Sequence, residues 1–234
     1  MTTALALLGA VLAGFLLYVG LPRLLLEANR RRLRTICRER RVIALSFDDG
    51  PGRELTPRVV ERLVTAGVPA TFFVLGRNAR AHPEQFALLA ERGFEIGTHG
   101  DEHVHHLRIA PWRAIRDTRD AWRILQARLG LDPTQLPFRP TYGKLNLISW
   151  LWVRSQGAPI AMWTHDSWDT RPDIDRGRER LIEELRTSGG GVVLLHDFDR
   201  DSEAEATRVL ERLDAVLELR ADGFEFVRVG DLVR

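Results

Sequence analysis

The sequence predicts an α/β fold: a distorted or incomplete (β/α) barrel of about seven strands, preceded by one N-terminal transmembrane helix. Three observations carry this. From residue 42 onward, short apolar runs rich in β-branched residues alternate with segments of helical periodicity, the pattern of a parallel sheet with crossover helices. About seven such units share roughly 190 residues, too few for a full eightfold barrel. An irregular barrel accounts for them better than the alternative, an open sheet. Residues 4–20 are apolar apart from their glycines and Tyr18.

That apolar run, prolonged by residues 24–26 beyond Pro22, amounts to roughly 17 to 23 residues, enough to span a bilayer. No Lys or Arg precedes it and no convincing small-residue cleavage motif follows, so it reads as an uncleaved anchor. The basic residues come after it. Arg23, Arg30, Arg31, Arg32, Arg34, Arg38, Arg40 and Arg41 stand against Glu27 and Glu39, a net of +6 in residues 1–41 that leaves −4 for the rest of a chain whose total is +2. The positive-inside bias then predicts a single-pass protein of the cell membrane whose C-terminal domain faces the cytoplasm, with the extracytoplasmic orientation as the alternative. The arginines suit anionic membrane lipids, while the mildly acidic remainder offers no footprint for nucleic acid. The expected division is 1–40, anchor and Arg-rich juxtamembrane segment, and 41–234, a globular domain. The chain's single cysteine, Cys37, excludes an internal disulfide.

Within that domain a buried strand at 42–48 leads into Asp48-Asp49-Gly50-Pro51. A helix at 55–66 carries Val59, Val60, Leu63 and Val64 at helical spacing and stops at Gly67. Strands follow at 69–76, 94–98, 138–142, 160–164, 191–195 and 224–229. Helices are expected at 83–92, 111–129, 147–155, 176–187 and 203–220. The longest of these begins at Pro111 and ends before Gly130, the usual asymmetry of helix ends.

Polar residues collect at the carboxyl ends of the strands, where α/β proteins keep their chemistry. Successive strand side chains point to opposite faces, so Asp48 and Asp49 serve one site only where the strand yields to a turn, and Gly50-Pro51 supplies one. His99 and His103 stand at i and i+4, a spacing that chelates one ion from a helical turn. On an extended strand they would lie about 13 Å apart, so the chain must turn after Thr98. His105 and His106 fall outside the spacing. Asp49 is the natural third ligand, since two imidazoles and a carboxylate leave room for water and substrate. Asp48 then remains to accept a proton. Arg139 is placed to hold a carboxylate in a bidentate pair. His196 ends the strand 191–195 and suits proton donation near neutral pH, with Asp166 and Asp169 as carboxylates able to orient it.

In order, the chain shows Ser46-Phe-Asp-Asp-Gly-Pro51, His99-x-x-x-His103, Arg139-Pro-x-Tyr-Gly143, Asp166-x-x-Asp169 and Leu194-Leu-His-Asp197. This order resembles the polysaccharide deacetylase family, carbohydrate esterase family four, over about residues 41–232. The resemblance implies a metal-dependent hydrolase that removes N-acetyl groups from an amino sugar in a glycan or lipid-linked saccharide. Its implied metal is zinc, with cobalt or nickel accepted by related enzymes, held by Asp49, His99 and His103. The implied roles are Asp48 as general base paired with Arg139, His196 as general acid tuned by Asp169, the Tyr142 backbone N–H as oxyanion donor, and Leu194 as the wall around the acetyl methyl. Two positions depart from the family. Gly100 stands where Ser or Thr is usual, so a hydrogen bond behind the ligands is missing or comes from elsewhere. Thr170 follows Asp169 where Trp is common, while Trp168, a residue type that shapes the substrate groove, precedes it. O-deacetylation or deformylation would use the same machinery, and an inactive carbohydrate-binding module of the same fold is the alternative of another class.

Overall fold

The computed structural model describes residues 2–171 and 177–233. A continuous helical rod opens the chain: α1 (Thr2–Phe15) passes through a π-helical turn (Leu16–Gly20) into α2 (Leu21–Arg40). Its first half is long and apolar enough to cross a membrane, by length and composition. Leu5, Leu8, Leu12 and Phe15 are each more than half exposed, as a helix facing lipid requires.

The second half behaves differently. α2 buries Pro22, Leu26, Leu33 and Cys37 and packs on the domain that follows. Asn29 donates to the Ile160 carbonyl (3.1 Å) and accepts from the Met162 N–H (3.2 Å), so its amide satisfies a strand edge as a neighbouring strand would. Arg41, in the left-handed conformation (φ 51°), donates its N–H to the carbonyls of Cys37 and Arg38 and ends the helix.

The elements then run β1 (Val42–Asp48), α3 (Leu55–Ala66), β2 (Ala70–Val74), α4 (Gly76–Ala81), α5 (Pro83–Glu91), β3 (Glu95–Thr98), α6 (Pro111–Leu129), α7 (Leu147–Ser155), β4 (His165–Asp166), α8 (Gly177–Ser188), β5 (Gly191–His196), α9 (Glu203–Glu218), β6 (Glu225–Phe226) and α10 (Gly230–Val233). All strand pairs are parallel, in the order β3-β2-β1-β5-β4, with β6 on β1. Every residue of β1 and β2 is buried, as expected of parallel strands covered on both sides. Local capping agrees with the chain's punctuation. Ser202 accepts from the Glu205 N–H to start α9 (3.3 Å), and Asn146 accepts from the Ser149 N–H to start α7 (2.8 Å).

Backbone bonds close the ring. Thr98 donates to Pro137 O (2.9 Å) and Arg139 to Thr98 O (3.0 Å); Phe138 donates to Pro159 O (2.8 Å) and Ala161 to Phe138 O (2.9 Å). Thr164 and Ser167 continue onto Val192 O and Leu194 O. The described residues thus give six strands and the Phe138 bridge, a distorted barrel in keeping with the expected seven. Two expectations shift. The strand placed at 160–164 is a bridge at Ile160 followed by β4 at His165–Asp166, because one bent segment serves Phe138 at its start and β5 at its end. The strand placed at 138–142 shrinks to Phe138, after which Thr141–Gly143 forms a 3₁₀ turn. The expected helix start at Arg176 lies outside the described residues.

Candidate active site

The carboxyl ends of the strands meet on one face of the barrel. Asp48 pairs in register with His196 across β1 and β5, so the two residues stand side by side. The chain does turn after Thr98: Gly100 has φ +93°, and the His99 and His103 rings come to 5.4 Å between centroids. His103 Nε2 lies 3.2 Å and His99 Nε2 3.5 Å from Asp49 Oδ1.

One ligand atom from each of Asp49, His99 and His103 lies within 4.8 Å of the others, close enough to share a metal ion. The surroundings fit a cation. Asp49 Oδ1 is buried with no hydrogen-bond partner. His99 Nδ1 sits 2.8 Å from the Arg139 carbonyl, an acceptor that fixes the proton on Nδ1 and leaves the Nε2 lone pair turned to Asp49. Burial pushes the His99 pKa down to about 3, keeping the imidazole neutral as a ligand must be. Asp49 (φ 70°) and His103 (φ 55°) both occupy the left-handed region, and backbone held there costs about 1–3 kcal/mol per residue. The surrounding structure holds that conformation in place.

Asp48 stands beside this set, its Oδ2 3.6 Å from His99 Nε2, but has a partner of its own. Arg139, wholly buried, donates from Nη1 to Asp48 Oδ1 (2.7 Å) and Ser46 Oγ (2.8 Å), and from Nε to the Ala161 carbonyl (3.2 Å). The expected bidentate pair is therefore a single bond: Nη1 serves both Asp48 and Ser46, Nε serves Ala161, and Nη2 is buried without a partner, while the guanidinium stacks over Phe73 at 3.9 Å. Burial raises the Asp48 pKa, with Arg139 and His196 pulling the other way.

His196 Nδ1 lies 2.8 Å from Asp169 Oδ1, and its N–H donates to Asp169 Oδ2 (2.9 Å). Burial alone would lower the His196 pKa, but Asp169, with Asp49 and Asp48 behind it, outweighs burial and pushes it up to about 9. Of the two carboxylates the sequence offered, Asp169 takes this place. Asp166 instead accepts the Trp168 N–H (2.8 Å). Leu194, two residues before His196 and so on the same face of β5, is nearly buried at 5% exposure.

Tyr142 is exposed, with its ring 4.5 Å from His103 and 4.9 Å from His105. The turn's own bonds run from Gly143 N–H to Pro140 O and from Lys144 N–H to Thr141 O, so they do not engage the Tyr142 N–H. Trp168 is half-buried and its ring lies 5.7 Å from the Arg180 guanidinium carbon. The indole beneath Arg139 and the Tyr142 turn is Trp163.

Three contributors escape sequence reasoning. Asp117, on α6, accepts the N–H groups of Asp101 (3.1 Å) and Glu102 (2.7 Å), and a Cβ at Gly100 would meet its carboxylate at 2.5 Å. The hydrogen bonds that brace the loop between His99 and His103 thus come from α6, and Gly100 makes room for them. Arg200 donates to Asp169 Oδ2 (3.0 Å) and to the His196 carbonyl (3.4 Å), and Asn78 donates to the Asp49 carbonyl (2.6 Å). Arg200 alone had a sequence signal, lying four residues after His196. Cavity size is no guide: a space of about 610 Å³ lies between α8 and α9, away from the strand ends.

The polysaccharide deacetylase family model matches residues 35–161. The chain belongs to this family. It is 29% identical over 201 residues to the peptidoglycan-N-acetylmuramic acid deacetylase of Bacillus subtilis, covering 85% of this chain and 40% of that protein. The solved structure of peptidoglycan deacetylase PdaC from Bacillus subtilis superposes with a TM-score of 0.66 at 28% identity, over 82% of this chain and 89% of that one. A peptidoglycan-N-acetylglucosamine deacetylase of Bacillus cereus is 32% identical over 81% of this chain and 67% of its own length. The chitooligosaccharide deacetylase of Bradyrhizobium is 30% identical over 79% and 87%. These relatives are named for different sugars, so the likeness reaches a carbohydrate deacetylase and stops short of one substrate.

Proposed function

We propose that this chain is a membrane-anchored, metal-dependent hydrolase that removes the N-acetyl group of an amino sugar, presented in a glycan or a lipid-linked saccharide. The observation that carries it is the separation of duties at the strand ends. Three ligand atoms gather on Asp49, His99 and His103, while Asp48 and His196, paired across β1 and β5, keep their own partners, Arg139 and Asp169.

A divalent cation such as zinc, cobalt or nickel on the triad would supply a Lewis acid for the amide carbonyl and for water. Asp48, held by Arg139, accepts the proton as the water oxygen bonds to the acetyl carbon. The Tyr142 N–H faces the oxygen on which negative charge develops. His196, kept protonated by Asp169, donates to the sugar nitrogen as the C–N bond breaks, releasing acetate and amine. Leu194 bounds the acetyl methyl and Trp168 the sugar.

Asp48→Asn should cut acetate release from N-acetylated chitooligosaccharides by about 10²–10⁴-fold while the purified protein keeps its stoichiometric divalent ion in elemental analysis. Near-normal turnover in that variant would remove Asp48 from the reaction.

The Arg-rich segment after the apolar run favours a cytoplasmic domain and a lipid-linked precursor. The peptidoglycan for which the Bacillus relatives are named favours the second reading, a wall polymer outside the membrane.

A further inference from the structure

α2 and the Tyr142 turn enclose a cavity of about 410 Å³, within the range of small-molecule sites. Three cations line it: Arg23 and Arg30 from the helix, and Lys144 from the turn; no carboxylate does. Glu27, on the same helix, is shared among Arg30 (3.6 Å), Arg31 (3.6 Å) and Arg34 (3.3 Å), so the lining stays positive. Arg23 and Lys144 make no ion pair among the described residues.

The site is built, since Arg30 is held rather than waving. Its guanidinium stacks on Trp163 at 5.0 Å with the side chain 23% exposed. Gly143 makes this possible: a Cβ there would sit 2.5 Å from the Trp163 ring and 3.0 Å from Arg30 Nη2. The other wall is apolar, formed by Val19, Leu26 and Leu145, and Val19 belongs to the end of the helix that continues into the exposed leucines of α1. On the far side Tyr142 is shared with the triad, one ring away from His103.

The cavity therefore joins a membrane-facing apolar wall, a cluster of cations and the edge of the hydrolytic site. We propose that it is a subsite for the phosphate or diphosphate that links a saccharide to a membrane lipid, the lipid leaving along Val19 and the sugar crossing Tyr142 to the triad. The inference rests on the deacetylase reading and narrows its substrate to a polyprenyl-phosphate-type lipid-linked amino sugar. Guanidinium and ammonium groups are the side chains that recognise phosphate.

The test uses the full chain in neutral-detergent micelles, with farnesyl diphosphate as the probe in titration calorimetry. The wild-type chain should bind it, and Arg23→Gln with Lys144→Gln, both at exposed positions, should weaken binding about tenfold or more. Phosphatidylglycerol at the same mole fraction and inorganic pyrophosphate at the same concentration should fail to displace it. Equal affinity in the variant, or displacement by either competitor, overturns the subsite. In a second arm, the ratio of kcat/KM for a diphosphate-lipid N-acetylglucosamine to that for the octyl glycoside of the same sugar should fall about tenfold in the variant; an unchanged ratio also overturns it. If neither sugar is turned over, the deacetylase reading fails, and the binding arm still decides the subsite.

Discussion

Asp48 and Asp49 are neighbours in sequence with opposite surroundings: one is bonded to a buried arginine, the other keeps a buried oxygen with no partner. The same contrast governs His196 and His99. Asp169 pushes His196 up to about 9, whereas burial pushes His99 down to about 3, which suits the proposed roles of proton donor and ligand. Asp169→Asn should therefore shift the alkaline limb of the kcat/KM–pH profile down by more than about one unit, since burial then dominates. An unmoved limb would separate His196 from proton transfer. The linkage has a definite sign. A folded-state pKa raised above the ordinary 6.5 stabilises the fold fully below that value and loses the contribution as pH rises through about 9. Arg139→Met should cost about 3–5 kcal/mol, because it leaves the Asp48 charge buried and unpaired; chemical denaturation measures it. The proposed ligands and proton-transfer residues were legible as motifs, since Asp48 and His196 end β1 and β5 and His99 follows β3. Asp117 was not, because nothing in a helix 19 residues long marks which carboxylate turns toward a loop.

At the scale of elements, helix α2 is the one whose character the sequence concealed. Its basic residues read as a juxtamembrane arm suited to anionic lipids, but Leu26, Leu33 and Cys37 form an apolar stripe at helical spacing among the arginines. Deleting residues 1–20 should leave the melting temperature of the domain nearly unchanged. Deleting residues 1–40 should lower it by several degrees or yield insoluble protein, because the stripe's partners and the Ile160 and Met162 backbone groups lose their cover. Equal melting temperatures in the two truncations would make α2 a mere linker. Short elements were the other blind spot. α4 has six residues and buries only Gly76 and Ala79, too little for a periodic signal. The segment 160–166 bends between two partners, so its apolar run and its assigned strand do not coincide.

At the scale of the molecule, the strand–helix alternation was enough to foresee parallel strands with crossover helices, because buried parallel strands read as unbroken apolar runs. Closure was not legible, since it depends on Phe138 alone bridging Thr98 and Ile160. Charge is arranged on the same scale: a net of +6 sits in residues 1–41 and −4 in the rest. That asymmetry predicts that alkaline phosphatase fused after Arg234 stays inactive while a cytoplasmic reporter at the same position is active. The reverse outcome places the domain outside.

Because α1 and α2 form one helical rod and α2 is fastened to the barrel through Asn29, the hydrolytic face has no tether on which to swing. The ten residues from Gly20 to Arg30 rise only about 15 Å, so with α1 in the membrane, as proposed, that face rides at a fixed height above the bilayer. A substrate embedded in the same sheet of lipid then meets the enzyme by lateral diffusion in two dimensions. The quantity that governs its rate is the number of substrate molecules per unit of membrane area, and diluting the surface with inert lipid slows the reaction even when the bulk concentration is held constant.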